Sequence, residues 1–376
     1  MGLLRNRMPL RTSITLLLSL TAIPGCGERR DGPGITAGDG RGDGGLTKTL
    51  DIEGKSLLGE PPFEMPIGGA VASDGTLLVA DGGSLSIRLF DASGDLIRSV
   101  GREGAGPGEF QSVPWARQCG VDSLFVWDPI AARVTVLGKE GQVSRQFRLP
   151  GNPALVECSR RGLFAVIMHP KDVRMPDPSG KGPRYSSPML LVSAQGDTVA
   201  AVGEVPAYEN RPMGKRTRVA VSESVVFVGT QDSAFVQIYS TTGVANGALP
   251  IGVAGRTTAP AIYEAAIDQM SMQLRVASER EAYKAFMLKI PMPGYLPPYF
   301  ELFSDGAGGV RALTSLPGEG ITRLDGVAGD GAPLPVWTMP GDVRIFEVGT
   351  DYVLGSYEDA DGVPHVALYR TGDAAR

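Results

Sequence analysis

Leu77-Leu-Val-Ala-Asp81, Ile87-Arg-Leu-Phe90 and Ser93-Gly94 return further along the chain as Leu124-Phe-Val-Trp-Asp128, Val134-Thr-Val-Leu137 and Glu140-Gly141. Asp81 to Asp128 and Gly94 to Gly141 are both steps of 47 residues. Short apolar strands, each leading to a glycine turn and recurring at this period, predict four-stranded blades set around an axis as a propeller. The turn glycines carry the count. Gly94, Gly141, Gly196 and Gly243 are separated by 47, 55 and 47 residues, and follow strands at Ile87–Phe90, Val134–Leu137, Met189–Val192 and Phe235–Tyr239. Gly331 lies 88 residues on and Gly372 another 41, so six turns predict six blades. The expected fold class is an all-β, six-bladed propeller.

The last blade supplies only three strands, Val343–Val348, Tyr352–Tyr357 and Val363–Tyr369. Thr47–Ile52 alternates suitably and is expected to complete it, since pairing the chain ends seals the ring and removes exposed strand edges. Between blades four and five, Tyr263, Ile267, Met270, Leu274 and Ala277 fall at helical spacing. Pro260 suits a first turn, and Pro291, Pro293, Pro297 and Pro298 end the pattern, so one inserted helix is expected within about 260–289.

The chain has 376 residues, with 51 glycines and 29 prolines that many tight turns explain better than disorder does. Its formal charge is −5, and removing residues 1–25 takes away three arginines and no acid, leaving −8. A net acid of this size argues against non-specific nucleic-acid binding.

Arg5, Arg7 and Arg11 precede an apolar stretch from Ile14 to Ile23, and Pro24-Gly25-Cys26 follows. That order predicts a secretory signal over residues 1–25, too short to span a bilayer. Ile23-Pro-Gly-Cys26 resembles the lipobox of bacterial lipoproteins, although proline stands where a small or hydroxylated residue is usual. The resemblance implies lipidation of Cys26 and a membrane contact through that lipid. Gly27 follows the cysteine, so by resemblance to the sorting rule the outer membrane is favoured where two membranes exist. Residues 26–46 are polar and glycine-rich and read as a flexible tether, with the propeller over 47–372.

Gly101-Arg-Glu-Gly104-Ala-Gly106-Pro-Gly108-Glu-Phe110 with Pro114, and Asp128 five residues before Arg133, resemble the inter-blade loop and repeat of NHL-type propellers. Ser86 takes the arginine position in the first blade. Over residues 47–372 the chain is similar to six-bladed propeller lipoproteins of bacterial cell envelopes. This resemblance implies a fold and an envelope location but no reaction. Read from the residues alone, the loop glycines permit a crossover, and Asp128 and Arg133 are expected to form a local ion pair.

Two histidines, His169 and His365, stand far apart, and no cysteine has zinc-ligand spacing. Cys119 and Cys158 each lie five residues before a strand leucine, hence at equivalent points of neighbouring blades. Buried free thiols are expected, with a disulfide as the alternative that an exported compartment allows. Two long loops are basic: Met168–Ser187 with Lys171, Arg174, Lys181 and Arg184, and Val205–Arg218 with Arg211, Lys215, Arg216 and Arg218. Eight bases against three acids invert the charge locally. These eight residues are the candidate binding set for an anionic partner such as an envelope protein, peptide or polysaccharide. A binding or scaffolding propeller with no cofactor is therefore the preferred reading over an enzyme. The alternative is a metal-assisted hydrolase or lyase of lactonase type, with a divalent ion such as calcium in the central channel.

Overall fold

A computed structural model of the chain describes residues 43–54, 63–113, 115–120, 123–171, 179, 184–272, 277–316, 319–341 and 343–372. The signal segment, Cys26 and most of the tether lie outside these residues. Strand β1 (Asp43–Glu53) comes first. Four antiparallel sheets follow, each in chain order. The first holds β2 (Pro66–Val71), β3 (Leu77–Asp81), β4 (Ser86–Phe90) and β5 (Leu96–Val100). The second holds β6 (Trp115–Gln118), β7 (Ser123–Asp128), β8 (Arg133–Gly138) and β9 (Val143–Phe147). The third holds β10 (Pro153–Cys158), β11 (Phe164–Met168), β12 (Arg184–Val192) and β13 (Thr198–Glu209). The fourth holds β14 (Arg218–Val221), β15 (Val225–Gly229), β16 (Phe235–Ser240) and β17 (Ala245–Pro250). Helices α1 (Pro260–Met272) and α2 (Ala277–Met287) come next. The remaining strands are β18 (Glu301–Ser304), β19 (Val310–Leu313), β20 (Ile321–Val327), β21 (Pro333–Pro340), β22 (Arg344–Val348), β23 (Tyr352–Glu358) and β24 (Pro364–Thr371). They share one eight-stranded sheet in the order β18-β19-β20-β21-β1-β24-β23-β22.

The first strand of each meander faces the axis. β2 packs against β6 and β22, β14 against β10 and β18, and β18 against β22. Burial then falls outward. β3, β4 and β11 are buried throughout, whereas β5, β9 and β17 are largely exposed. A strand sandwiched between two neighbouring sheets has two apolar faces, which is why Leu77–Asp81 reads as a continuous apolar run. The layer between the second and third sheets shows what holds neighbours together. Trp115, Phe125, Trp127 and Phe164 fill it, with the Phe125 and Phe164 ring centroids 5.5 Å apart. Burying each such side chain stabilises the fold by about 1.5–3 kcal/mol.

The expected closure is present. β1 pairs antiparallel with β24 from Leu46 opposite Thr371 to Glu53 opposite His365. Its first residues, Asp43 to Gly45, pair in parallel with Val336 to Thr338 of β21, which ties the two halves of the large sheet together. The strand thus begins inside the segment read as tether. Gly94, Gly141, Gly196, Gly243 and Gly331 all have positive φ in hairpins joining third and fourth strands. Gly372 does not. It follows β24, whose outer neighbour is β1 and needs no turn, and the positive-φ glycine of that part is Gly362 in the β23–β24 hairpin.

Three other expectations need correction. The insertion is two helices, not one. A single helix over 260–289 would extend roughly 45 Å and keep its two ends apart. Instead Lys284 of α2 pairs with Asp268 of α1 at 2.8 Å, and Tyr263, Ala266, Ile267 and Met287 share one core with Ile290, Leu296 and Phe300. Leu274 lies outside the described residues, and Ala277 is exposed.

Cys119 and Cys158 are joined by a disulfide, with Cα atoms 5.7 Å apart, and are not free thiols. They lie at the ends of β6 and β10, both first strands. Converging on the axis brings such points within bridging range, while equivalent positions farther out diverge.

Asp128 and Arg133 make no ion pair with each other. The fully buried Asp128 accepts from the backbone of Gln111 at 2.8 Å and Ala131 at 2.9 Å. Arg133 donates to the carbonyls of Ala105, Gly106 and Glu109. Both residues therefore pin the glycine-rich loop where it enters the second sheet. Asp81 does the same in the first sheet, accepting from Glu64 and Met65.

Candidate functional site

A meander in which the first strand starts at one face of the ring puts two kinds of connection on that face. These are the links between sheets and the loops joining second to third strands. This upper face carries the long loops, the helices and the basic residues singled out in the sequence. Arg184 opens β12, pairs with Asp232 at 2.6 Å and donates to the Thr230 carbonyl. Lys215 reaches the same Asp232 at 3.0 Å. Arg211 pairs with Glu209 at 3.0 Å, and Arg218, the first residue of β14, pairs with Glu301 of β18 at 3.2 Å. Lys171 is exposed, and Arg174 and Lys181 lie outside the described residues. The charge count from two loops missed Asp232 and Glu301, because both come from other segments. Much of the surface excess is neutralised at contact range.

Arg216 behaves differently. It stands over the Tyr208 ring, 5.8 Å from the centroid, and turns inward. Burial, then the neighbouring Arg218, lowers its proton affinity to about 10 against the pull of Tyr208, Glu301 and Tyr283.

Below Arg216 and Arg218, the first strands carry charges that point toward the axis. Arg117 on β6, Glu157 on β10, Glu301 on β18 and Arg344 on β22 are each only partly buried. Desolvation nevertheless dominates the protonation of two of them. Burial pushes the Glu157 carboxyl up to about 7, partly offset by Arg117 and Arg218 and reinforced by Glu301. Burial lowers Arg344 to about 10, and the like charge of Arg117 adds to it. Contact with solvent together with deep enclosure is what a narrow axial channel imposes on side chains lining it. Four arginines face two glutamates there.

The lower end of this channel is crossed by protein. Arg160, in the turn after β10, donates to Glu347 of β22 and to the Tyr352 hydroxyl, both at 2.7 Å. Glu347 also accepts from the Val71 backbone at 2.6 Å, at the end of β2. The disulfide is two residues from Arg160 and fixes the same turn. Arg160 and Glu347 thus link the third sheet to β22 and β2 across the lower end of the ring.

Among the described residues, no three His, Cys, Asp or Glu side chains gather as a metal site. His365 sits on the outer seam, 3.0 Å from Asp51 and stacked on Tyr357, while the proton affinity of His169 is lowered by burial. Among the described residues, neither imidazole is hydrogen-bonded to a serine. The signal that could have revealed the channel residues is a charge inside an otherwise apolar first strand: Arg117 in Trp-Ala-Arg-Gln, Glu157 in Leu-Val-Glu-Cys and Arg344 in Arg-Ile-Phe.

No family model matches the chain, and no curated protein matches its sequence. Solved structures do resemble it. A Bacteroides fragilis NCTC 9343 protein described as exported is 12% identical, with a TM-score of 0.50 over 89% of this chain and 97% of that one. A member of the DUF4221 family from Bacteroides vulgatus ATCC 8482 is 11% identical, with a TM-score of 0.52 over 86% and 97%. The fold is a β-propeller. At such identities the likeness carries the architecture alone.

Proposed function

We propose that this chain is a six-bladed propeller, exported and held at the cell envelope by a lipid on Cys26, that binds an anionic ligand entering its axial channel from the upper face. Two features support six blades. The eight-stranded sheet divides into β18–β21 and β22–β24 with β1, and an apolar layer lies between the halves, Leu324, Trp337 and Met339 against Val343, Val353 and Tyr369. The disulfide fits an oxidising compartment outside the cytoplasm.

The observation that carries the ligand class is the charge of the channel. Arg117, Arg216, Arg218 and Arg344 outnumber Glu157 and Glu301 inside a chain whose net charge is negative. Low-dielectric walls amplify that excess relative to the paired loop charges outside. The same excess opposes a divalent cation, so a metal-assisted reaction gains nothing from this arrangement.

Fluorescence anisotropy with a labelled oligoglutamate peptide tests the reading, with oligolysine as control. Binding of oligoglutamate alone, weakened at least tenfold in Arg216→Gln and little changed in Lys215→Gln, is expected. Equal binding of both peptides, or none of oligoglutamate, would discard it.

A further inference from the structure

The geometry points to a distinct oxyanion seat within the channel, formed by Arg117 and Arg344 on either side of β2 beside Gly68, that takes a single carboxylate or tetrahedral sulfate or phosphate group of a ligand. It rests on the anion reading above and narrows it to one chemical group and two side chains.

β2 is flanked at the axis by β6 and β22, which carry the two arginines. Between them β2 presents Gly68, without a side chain. A Cβ built there would stand 3.6 Å from Arg117 Nη1 and 3.6 Å from the nearest backbone, ordinary contact distances, so a side chain at this position would fit without a clash but would lie against Arg117. Gly68 needs no positive φ, and its missing side chain is therefore not required by the backbone. Among the described residues the Arg117 side chain makes one hydrogen bond, from Nη1 to the Ala116 carbonyl at 3.1 Å. The Arg344 side chain has neither ion pair nor hydrogen bond among the described residues, although burial and the charge of Arg117 both disfavour its own charge. Two like charges that disfavour one another in a desolvated place, one of them on a side chain without an acid, are matched by an added anion.

Glu157 is the internal competitor. It faces Arg117 and Trp115 from β6, Arg218 from β14 and Glu301 from β18. The Trp115 indole N–H is buried and has no full hydrogen bond. With its proton on, Glu157 leaves Arg117 free for the ligand, and ionised it draws Arg117 away. Its carboxyl titrates near 7, so an anion that needs the protonated form binds about tenfold more weakly at pH 8 than at pH 6.

The test is thermal unfolding of the whole mature chain with sulfate or propionate, both ionised from pH 6 to 8, against chloride at equal ionic strength. A rise in Tm with sulfate, propionate or both is expected, larger at pH 6, and the response of each probe tells a tetrahedral from a carboxylate group. Arg344→Met is expected to unfold at least as high as the unmodified protein without anion and to lose the rise. Gly68→Val keeps every charge, fills the seat and is expected to lose the rise as well. Glu157→Gln is expected to keep it and flatten its pH dependence. A rise that survives both Arg344→Met and Gly68→Val overturns the seat. If that surviving rise is lost in Arg216→Gln, the anion reading of the channel stands without it. No rise in the unmodified protein beyond that in Arg344→Met also overturns the seat.

Discussion

Replacing Cys119 and Cys158 by alanine, or reducing the bridge, is expected to cost 4–5 kcal/mol. The bridge joins residues 39 apart in sequence. Closing a loop of that length removes roughly 13 cal/mol/K from the unfolded chain, or about 4 kcal/mol at 25 °C. Cys119 is fully buried in the layer with Trp115, Phe125 and Phe164, so loss of its sulfur adds about 1 kcal/mol. With an unfolding entropy near 2.1 cal/mol/K per residue over about 320 residues, Tm falls by roughly 6–7 °C.

The assay is urea unfolding of protein carrying Cys26→Ser. The oxidised form is compared with the reduced form and with the double alanine variant, and thiols are titrated under denaturing conditions. Midpoints are compared only where the m-values agree, since a chain of this size need not unfold in one step. A loss under about 1 kcal/mol, with the titration showing an intact bridge in the oxidised sample, would refute the closure argument.

Two other outcomes are expected. Removing residues 43–53 exposes the edges of β21 and β24 together, so light scattering should report association of the truncated chain, and a monomeric, fully folded product would contradict the seam. Burial would raise the Asp51 carboxyl, but hydrogen bonds from Lys48, Tyr357 and His365 outweigh it and hold the group below its usual value. A depressed folded value contributes stability that is complete above the unfolded value of about 4 and is lost as pH falls through the folded one. Asp51→Asn should therefore cost about 1 kcal/mol at pH 7, modest because the pair is part-exposed, and the cost should fade as pH falls through the folded value. A gap that persists in acid, read from urea midpoints across pH, would show that the role is packing.

The blades were legible because their causes are local. Leu77–Asp81 and Leu124–Asp128 are apolar on both faces, and Gly94 and Gly141 adopt the positive φ that their hairpins require. Even the closing strand could be placed, since a missing fourth strand and a spare alternating segment specify one another. The two helices could not, because what holds α1 against α2 is contact between residues distant in sequence, such as Lys284 with Asp268. Basic residues cluster in sequence on the loops. There Asp232 pairs with both Arg184 and Lys215, while Arg117, Glu157 and Arg344 stand singly on first strands.

Sequence by itself determined the repeat, the glycine turns and the strands that would seal the ring, since each depends on neighbours a few residues away. The bridge from Cys119 to Cys158, the reach of Arg160 to Glu347 and the approach of Arg117 to Gly68 were decided only by tertiary structure. In each case the partners lie on different sheets. Gathering the first strands around one axis brings them together, and no local pattern in the chain encodes that distance.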